Sequence, residues 1–477
     1  MLDILHCTPE CVPYSKTGGL ADVSGALPEA LTRLGHRVAV VTPLYASVDR
    51  DRHRVAHTGR EVQVTLAGRT FDFEVHETTM PAGTRVLFLA NEGLFGRPQL
   101  YGTREGDYPD NHLRFGAFAA AVFGVVRALR LRPDVLHCHD WQAGLVPAWN
   151  HLHLDLFATV TTIHNMAYQG LFSAEVLPDV GLPWELFNPE QVEFWGKVGF
   201  LKAGLVFADR ITTVSPRYAR EIMTPEFGCG LDGLLRRRGA DVSGILNGAD
   251  YGEWSPATDA LIPSTYSAAD LSGKAACREA LLRECGLAPA RGPVFGVVGR
   301  LAEQKGFDLL ACVLPDVVAL GASVVVLGTG EAAIEDHMVE VASRYPERVA
   351  VRIAYDNGLA HRIEAGCDFF VMPSRYEPCG LNQIYSMAYG TLPVVHAVGG
   401  LDDTVADVDE DPANATGLKF RTFTREALLD RLARAVTLHA DAAAHAAVVR
   451  RAMAADFSWD ASARAYEALY AGLVSAR

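Results

Sequence analysis

The sequence has 477 residues, which is too long for one ordinary hydrophobic core and suits two or three domains. Hydrophobic residues make up 49% of it and charged residues 21%, a balance typical of water-soluble globular proteins and not of disordered or fibrous ones. The 57 acidic residues outnumber the 43 basic ones and give a net charge of −14, which argues against a nucleic-acid or anionic-membrane partner.

Cysteine usage and the first residues predict a cytoplasmic protein. The nine cysteines show no paired spacing, as expected in a reducing compartment. The chain opens with the strand-like run MLDILHC and no basic leader, so we expect no secretory signal. No apolar run approaches the roughly 20 residues of a membrane helix. Cys7 and Cys11 lack a second Cys/His pair, and we interpret them as packing residues.

Apolar runs alternate with amphipathic stretches along the whole chain, which is the pattern of βαβ units. The predicted strands of the first half are HRVAVVTPLY, RVLFLA, DVLHCHD, FATVTTIHN and ADRITTVSP. Those of the second half are GPVFGVVGR, GASVVVLGTG, RVAVRIAYD, CDFFVMPSR and TLPVVHAVGG. The sequence therefore predicts an α/β protein with two Rossmann-like domains that face each other across a deep cleft.

The boundary between these domains is expected in a segment rich in Gly, Pro and Asp, ILNGADYGEWSPATDALIP. We place the first domain at residues 1–245 and the second at residues 246–456. The last stretch, FSWDASARAYEALYAGLV, has a helix-capping signal and an amphipathic pattern. A helix within residues 457–477 is therefore expected to cross back and join the first domain.

Two similar glycine pairs follow predicted strands in opposite halves of the chain. Gly18 and Gly19 lie in KTGGLADV, which also supplies the positive charge of Lys16. Gly399 and Gly400 lie in VGGLDDTV. Paired glycines let backbone amides approach an anion, although they also simply make tight turns. Because two such turns occur, we expect a shared ligand. The G-x-G-x-x-G fingerprint of dinucleotide binding is missing.

Charged residues follow two strands of the second half. Arg300 and Lys305 come after GPVFGVV, where two cations would stabilise a departing diphosphate. In SRYEPCGLNQ, Pro378 predicts the first turn of a helix whose amides, from Cys379 to Asn382, point at phosphate. Glu377 would be ionised there and would accept hydrogen bonds from sugar hydroxyls. The alternatives are an ordinary exposed Arg/Lys pair and an ordinary N-terminal helix acid.

Histidines cluster at the ends of two strands of the first half, in HCHDWQ and TIHNMAYQG. Such clustering raises the question of a metal site. We expect His137 and His139 to face different directions along their strand, which argues against a shared ion and favours histidines buried in the core. His164 and Asp140, at strand ends, are the better functional candidates.

Together these segments resemble the bacterial glycogen synthase and plant starch synthase family. The matching motifs are KTGGLADV, HCHDWQ, TIHNMAYQG, ILNGADYGEWSP, GRLAEQKG, SRYEPCGLNQ, YGTLPVV, GGLDDTV and FSW, in order over nearly the whole chain. KTGGLADV together with EPCGLNQ is the most specific pair. The resemblance implies a GT-B fold, transfer of glucose from ADP-glucose to the non-reducing end of an α-1,4-glucan with retention of configuration, and no metal or cofactor. It also implies that the first domain serves the acceptor and the second the donor.

The resemblance also implies roles for individual residues. The implied catalytic residues are His164, Asp140, Arg300, Lys305 and Glu377. The implied donor-binding residues are Lys16, Gly18, Gly19, Asp22, Asn247, Tyr355, Cys379, Gly380, Leu381, Asn382, Gly399 and Gly400, with Tyr355 stacked on adenine. The implied acceptor-side residues are Tyr101, Asp110 and Asn111. Tyr385 stands where many members of the wider superfamily carry a second glutamate, so one candidate carboxylate for ribose is missing.

Other functions compatible with this sequence are a UDP-glucose-dependent transferase, a nucleotide-sugar epimerase, a phosphorylase with lysine-bound pyridoxal phosphate, and a non-catalytic glucan-binding protein. No pair of acids is placed as in retaining hydrolases. We therefore expect a front-face mechanism in which the departing phosphate deprotonates the acceptor hydroxyl.

Overall fold

The computed structural model describes residues 1–103, 105–153, 155–289 and 291–476. The chain forms two compact units, one of Met1–Gly248 with Trp459–Arg477 and one of Ala249–Ser458. Each unit has its own large sheet and its own buried core. None of the helices in the described part of the chain is both long enough and apolar enough to cross a membrane.

The first unit alternates strands and helices along the chain. Its strands are β1 (Asp3–Cys7), β2 (Arg37–Pro43), β3 (Ala56–Leu66), β4 (Arg69–Thr79), β5 (Arg85–Ala90), β6 (Gly102–Thr103), β7 (Gly106–Asp107), β8 (Val135–His139), β9 (Ala158–Ile163), β10 (Leu171–Ser173), β11 (Glu193–Phe194), β12 (Lys197–Gly199), β13 (Arg210–Thr213) and β14 (Val242–Gly244). Its helices before the second unit are α1 (Gly19–Arg33), α2 (Glu92–Phe95), α3 (Asn111–Ala128), α4 (Leu145–His153), α5 (Phe200–Phe207), α6 (Pro216–Glu221) and α7 (Asp232–Arg237).

The main sheet of this unit has nine strands in the order β14-β13-β9-β8-β1-β2-β5-β4-β3. Pairing is parallel from β14 to β5, and the antiparallel hairpin of β3 and β4 completes one edge. That hairpin turns at Ala67 and Gly68, which both have positive φ, 48° and 75°, as a tight two-residue hairpin turn requires. The predicted strands of this half are all present, as β2, β5, β8, β9 and β13.

The second unit contains the remaining strands and all but the last of the remaining helices. Its strands are β15 (Val294–Val298), β16 (Ser323–Gly328), β17 (Val349–Ile353), β18 (Phe369–Met372), β19 (Leu392–His396) and β20 (Leu418–Phe420). Its helices are α8 (Ser272–Cys285), α9 (Phe307–Ala319), α10 (Ala332–Ser343), α11 (Asn357–Gly366), α12 (Asn382–Ala388), α13 (Gly399–Thr404), α14 (Arg425–Ala440) and α15 (Ala442–Ala454). The last helix, α16 (Trp459–Ala476), belongs to the first unit.

Both faces of the central parallel strands of the first unit's main sheet, such as β1, β8 and β9, are buried because these strands are apolar on both sides. Neighbouring residues of a strand point to opposite faces, so Ile4 packs in the core beneath α1 and α16 whereas Leu5 packs in the core beneath α3. Each fully buried side chain of this kind contributes roughly 1.5–3 kcal/mol. The outcome is a doubly wound sheet with helices on both sides.

The sheet of the second unit has the order β17-β16-β15-β18-β19-β20, and all its pairings are parallel. The predicted strands of this half are present as β15 to β19, which confirms the predicted α/β class with parallel sheets. In each unit the chain starts centrally, at β1 or β15, runs outward to one edge and then restarts on the other side, at β8 or β18. Ligands of doubly wound sheets bind at the carboxyl ends of the two strands that flank this switch point.

Candidate active site

A buried carboxylate organises the loop between β1 and α1. Glu10 is 3% exposed and accepts hydrogen bonds from the Thr17 hydroxyl at 2.6 Å and the Tyr101 hydroxyl at 2.5 Å. The backbone amide of Thr17 also donates to Glu10. Sequence reasoning missed Glu10, although an acid directly after a central strand was the available signal. Glu10 thus fixes the loop that carries Lys16, and it ties Tyr101, an implied acceptor-side residue, to that loop.

The glycine pair of this loop leaves its backbone open to solvent. A side chain at Gly18 or Gly19 would meet no other atom within 4 Å, and neither residue has a positive φ. Neither glycine is therefore required by the protein's own packing. Lys16 Nζ donates to Asp22 Oδ1 at 2.7 Å in the first turn of α1, and the Lys16 side chain is 47% exposed.

Asp140 and His164, which follow β8 and β9, are in direct contact. The backbone amide of His164 donates to Asp140 Oδ1 at 2.7 Å, and Asp140 has a left-handed backbone with φ of 54°. Burial raises the pKa of the Asp140 carboxyl to about 8, so it is largely a neutral acid near pH 7. A strained, buried and protonatable acid beside a histidine is a frequent feature of functional sites.

Asn247 offers a second unusual polar group in this unit. Its side chain is 7% exposed, and its Oδ1 atom is buried without a hydrogen-bond partner among the described residues. Since buried polar atoms are normally paired, an orphaned amide oxygen is typical of a position that a ligand completes.

The expectation that His137 and His139 face different directions was wrong. Residues two apart in a strand point to the same face, and the two rings lie 4.3 Å apart between centroids. Nitrogens of His6, His137 and His139 lie within 4.8 Å of one another. However, both nitrogens of His137 are already engaged, with Thr162 Oγ1 at 2.5 Å and the Tyr470 hydroxyl at 2.7 Å. This arrangement favours a hydrogen-bonded cluster over a set of metal ligands.

Two of the implied acceptor-side residues are held by neighbours. Asp110 forms a two-point ion pair with Arg97, at 2.7 and 2.5 Å, and this pairing lowers the pKa of Asp110. Asn111 is 1% exposed; it donates to the Tyr101 carbonyl oxygen and accepts from Arg114. Their side chains therefore stabilise the start of α3 and the adjoining loop.

A cavity of about 400 Å³ lies beside Trp141, the residue that follows Asp140. Aromatic side chains and amide or carboxylate groups line it, namely Asp107, Asn111, Trp141, Tyr168, Gln169 and Phe172 among others. Aromatic rings beside hydrogen-bonding groups suit a ligand with both apolar faces and hydroxyls.

In the second unit, the structure brings two implied catalytic residues together at the switch point. Lys305, which follows β15, lies 2.6 Å from Glu377, which follows β18. Ser374 donates a further hydrogen bond to the same carboxylate oxygen at 3.1 Å. The Lys305 side chain is 26% exposed and that of Glu377 is 7% exposed. The partly exposed ammonium of Lys305 is therefore paired with the buried carboxylate of Glu377.

Arg300 and Tyr355 lie at the surface of this unit. Arg300 Nη2 makes a long contact of 3.5 Å with Gln304, whose own amide donates to the Tyr376 carbonyl oxygen. Tyr355, just after β17, is 86% exposed, so its ring has almost no packing of its own. An aromatic ring left exposed in this way is available to stack on a planar ligand.

The helix predicted to begin at Pro378 begins later, at Asn382. Gly380 has φ of 71°, a left-handed conformation that interrupts a helix. The segment before α12 is instead a loop pinned by Gln383, which donates to the Cys379 and Gly380 carbonyl oxygens. Asn382 donates to the Val298 carbonyl oxygen, so its side chain anchors the loop to β15. Among the described residues, the amides of Gly380 and Leu381 donate to no protein group.

The second glycine pair differs from the first. A side chain on Gly399 would overlap the Glu377 carbonyl oxygen, and one on Gly400 would overlap the Cys379 carbonyl oxygen. The Gly400 amide donates to the Glu377 and Pro378 carbonyl oxygens at 3.1 and 3.2 Å. The expectation that the amides of this glycine pair approach an anion was therefore wrong for Gly400, and these glycines hold the loop that carries Glu377.

Tyr385, the residue in place of a glutamate, has a packing role. Its ring is 8% exposed and stacks on Trp254 with 4.3 Å between centroids. His361 also stacks on Trp254, with 3.8 Å between centroids. A carboxylate at this position would be buried against aromatic rings.

Family models match both units of the chain. The model described as the starch synthase catalytic domain matches residues 3–237, and that of the group 1 glycosyl transferases matches residues 292–437.

Full-length relatives share about half of the residues. The chain is 51% identical to the glycogen synthase of Anaeromyxobacter sp. (strain Fw109-5), over 99% of this chain and 100% of the relative. It is 47% identical to the glycogen synthase of Myxococcus xanthus (strain DK1622), again over 99% and 100%. Among solved structures, the catalytic domain of starch synthase IV from Arabidopsis thaliana, bound to ADP and acarbose, has a TM-score of 0.92, 33% identity and 99% coverage of both chains. The predicted GT-B class is confirmed.

Proposed function

The chain belongs to the glycogen and starch synthase family of glycosyltransferases, and we propose that it transfers glucose from ADP-glucose to the non-reducing end of an α-1,4-glucan. Retention of configuration and independence from metal are parts of the same proposal. The ADP bound to the Arabidopsis relative supports an adenine nucleotide donor.

The observation that carries the proposal is the Lys305–Glu377 pair at the switch point of the second unit. A nucleotide sugar presents a diphosphate and a ring of hydroxyls side by side. A partly exposed ammonium suits the diphosphate, and an adjacent ionised carboxylate suits the hydroxyls. We assign the diphosphate to Lys305 and Arg300, with the unpaired amides of Gly380 and Leu381 as further donors. Tyr355 would stack on the nucleotide base.

In the first unit, we assign to Lys16 and the open amides around Gly18 and Gly19 contacts with the donor. His164 and the orphaned Asn247 oxygen would hydrogen-bond glucose hydroxyls. The aromatic cavity beside Trp141 would accommodate glucose units of the acceptor. Asp140, which precedes Trp141 in the chain, would contact the acceptor end. Asp110 and Asn111 would act by keeping that region rigid.

The proposed chemistry needs no nucleophile from the protein. The bond from the anomeric carbon to the phosphate oxygen breaks, and the acceptor hydroxyl oxygen bonds to the same face of that carbon. Its proton passes to the departing phosphate oxygen, so charge and atoms balance. The protein supplies position, and the cations of Lys305 and Arg300 stabilise the negative charge on the departing diphosphate.

Incorporation of labelled glucose into a maltooligosaccharide primer tests this proposal. ADP-glucose and UDP-glucose are compared, each with and without a metal chelator. We expect faster incorporation from ADP-glucose, no effect of the chelator, and only α-linked glucose in the product spectrum. Faster transfer from UDP-glucose would overturn the donor assignment, and incorporation from neither donor would overturn the proposed function.

We further propose that the protein works in the cytoplasm. Eight cysteines of the described chain besides Cys379 are free thiols, and six of these eight are buried. A set of unpaired thiols is typical of a reducing compartment.

A further inference from the structure

A row of buried histidines leads from the interior of the first unit to His164. His6 lies in β1, His139 ends β8, and His164 directly follows β9, so three adjacent strands each supply one ring. His6 Nδ1 lies 3.0 Å from His139 Nε2, and His139 Nδ1 lies 3.0 Å from His164 Nε2. His6 and His139 are fully buried, and His164 is 9% exposed.

Each of these rings is neutral near pH 7. Burial lowers the pKa of His6 and of His164 to about 3 and holds that of His139 well below its ordinary value. A neutral imidazole has one N–H donor and one bare nitrogen. Each hydrogen bond between two rings needs one N–H donor and one bare nitrogen as acceptor. Both hydrogen bonds can therefore form only if the middle ring, His139, donates to one neighbour and accepts from the other. The row therefore has two possible directions.

The two directions differ at the ends of the row. If the hydrogens point toward His164, its Nδ1 carries an N–H and His6 Nε2 is bare. If they point away, His164 Nδ1 is bare and His6 Nε2 carries an N–H. His6 Nε2 is buried without a partner among the described residues. An orphaned buried N–H group is the rarer of the two outcomes in proteins.

We propose that His6 and His139 are positioning residues that fix His164 as the tautomer with its hydrogen on Nδ1, so that His164 presents a hydrogen-bond donor to a ligand hydroxyl. The identity of that hydroxyl, on the donor glucose, rests on the proposed function. The tautomer itself does not. The tautomer of His164 follows from His6 Nε2, the nitrogen without a partner among the described residues at the other end of the row.

This arrangement has a functional consequence. An Nδ1–H group donates to a hydroxyl oxygen, whereas a bare Nδ1 would accept the hydroxyl hydrogen. Since the row is neutral and shielded from water, His164 keeps this donor without competing protonation over the neutral pH range. The tautomer therefore selects how a bound hydroxyl is oriented.

The direct test is two-dimensional ¹⁵N–¹H correlation of the unmodified protein labelled at histidine. The His164 signals are assigned by their loss in His164→Gln. We expect a protonated Nδ1 and a bare Nε2 at His164. A protonated Nε2 with a bare Nδ1 would overturn the proposal, whether or not the protein transfers glucose. The measurement needs no destabilising substitution.

Two variants sharpen the test. His6→Asn keeps a donor where His6 Nδ1 lies, so the His164 tautomer should be retained. In His6→Leu, His139 Nε2 becomes the buried nitrogen without a partner and should stay bare, so His139 still donates to His164 Nε2 and the tautomer should again be retained. His137→Gln is the matched control, because His137 is equally buried but bonds to Thr162 and Tyr470 outside the row. A reversed His164 tautomer in either His6 variant, or a changed one in His137→Gln, would contradict the assignment of the row.

An activity comparison tests the consequence separately. The amide nitrogen of asparagine lies where histidine has Nδ1, and that of glutamine lies where it has Nε2. We expect kcat/KM of His164→Asn to exceed that of His164→Gln by about tenfold, the effect of one hydrogen bond. The reverse order would overturn the donor role, even if the tautomer is the expected one.

Discussion

Replacement of Lys305 by alanine should slow turnover far more than it destabilises the fold. An ammonium about 4 Å from a phosphate oxygen, at the effective dielectric of a partly exposed site, contributes roughly 4 kcal/mol. Removal of one group that stabilises a developing anion typically costs about 10²–10³ in kcat, which corresponds to about 2.7–4 kcal/mol. The two figures agree, so we expect Lys305→Ala to lower kcat by a factor of about 10²–10³.

The same substitution also removes the partner of Glu377. A fully buried carboxylate left without its cation costs roughly 3–5 kcal/mol. The Lys305 side chain is 26% exposed and Ser374 still donates to the carboxylate, so we expect a smaller loss of stability, about 1–2 kcal/mol. Urea denaturation measures this loss, and initial rates of glucose transfer at saturating donor and primer measure kcat.

Arg278→Ala is the matched control for that experiment. Arg278 pairs with Asp368 at 3.2 Å, with side chains 23% and 12% exposed, close to the values for Lys305 and Glu377. Asp368 accepts a hydrogen bond from the amide of Val294, the first residue of β15. It therefore lies at the amino-terminal ends of the strands, whereas the switch-point site lies at their carboxyl ends. The control should lose stability and keep its kcat. If Lys305→Ala keeps kcat within about threefold of the original, or Arg278→Ala loses as much, the role of Lys305 is refuted.

Three further outcomes follow from the first unit and the loop at Glu377. Because burial raises the pKa of Asp140 to about 8, the folded state retains a proton that the unfolded state releases, so stability falls as pH rises toward 8. The free energy of unfolding of the unmodified protein, relative to that of Asp140→Asn, should fall by up to about 1.4 kcal/mol per pH unit between about pH 6 and 8. If urea denaturation gives the two proteins the same dependence of unfolding free energy on pH, this expectation is contradicted. Glu10→Gln leaves one donor of the β1–α1 loop unmatched and should lower kcat/KM about tenfold, and an unchanged value would remove Glu10 from loop positioning. Gly18→Ala should raise KM for the donor without changing the melting temperature, because a side chain there meets no protein atom. Gly399→Ala should lower the free energy of unfolding by about 2 kcal/mol or more, because Gly399 has φ of 46° and its added Cβ would overlap a carbonyl oxygen. Similar melting temperatures for the two variants would show that the two glycine pairs do not differ.

The sheets were predictable because apolar runs mark buried parallel strands whatever the details of packing. The position of Lys305 and Glu377 followed from the same reasoning, since both come directly after strands that flank the switch point. Their pairing at 2.6 Å did not, because a strand order brings loops together without fixing where a side chain points.

Errors arose where local conformation depends on distant contacts. Pro378 is a good first residue of a helix, but Gly380 adopts a left-handed conformation and delays α12 to Asn382. Gly400 resembles a phosphate-binding glycine in sequence, yet its amide is engaged by the loop at Glu377. Glu10 lies outside every motif, so its position after β1 was its one signal in the sequence, and its contacts with Thr17 and Tyr101 depend on residues that are distant along the chain. The shared face of His137 and His139, in contrast, was predictable from strand periodicity alone.

The most direct test of the proposed reaction is the stoichiometry of ADP release and primer elongation in the same reaction mixture. One ADP released for each glucose added, with no release when the primer is omitted, is the result we expect. ADP release without elongation, or elongation without ADP release, would contradict the assignment of this chain as an ADP-glucose-dependent glucosyltransferase.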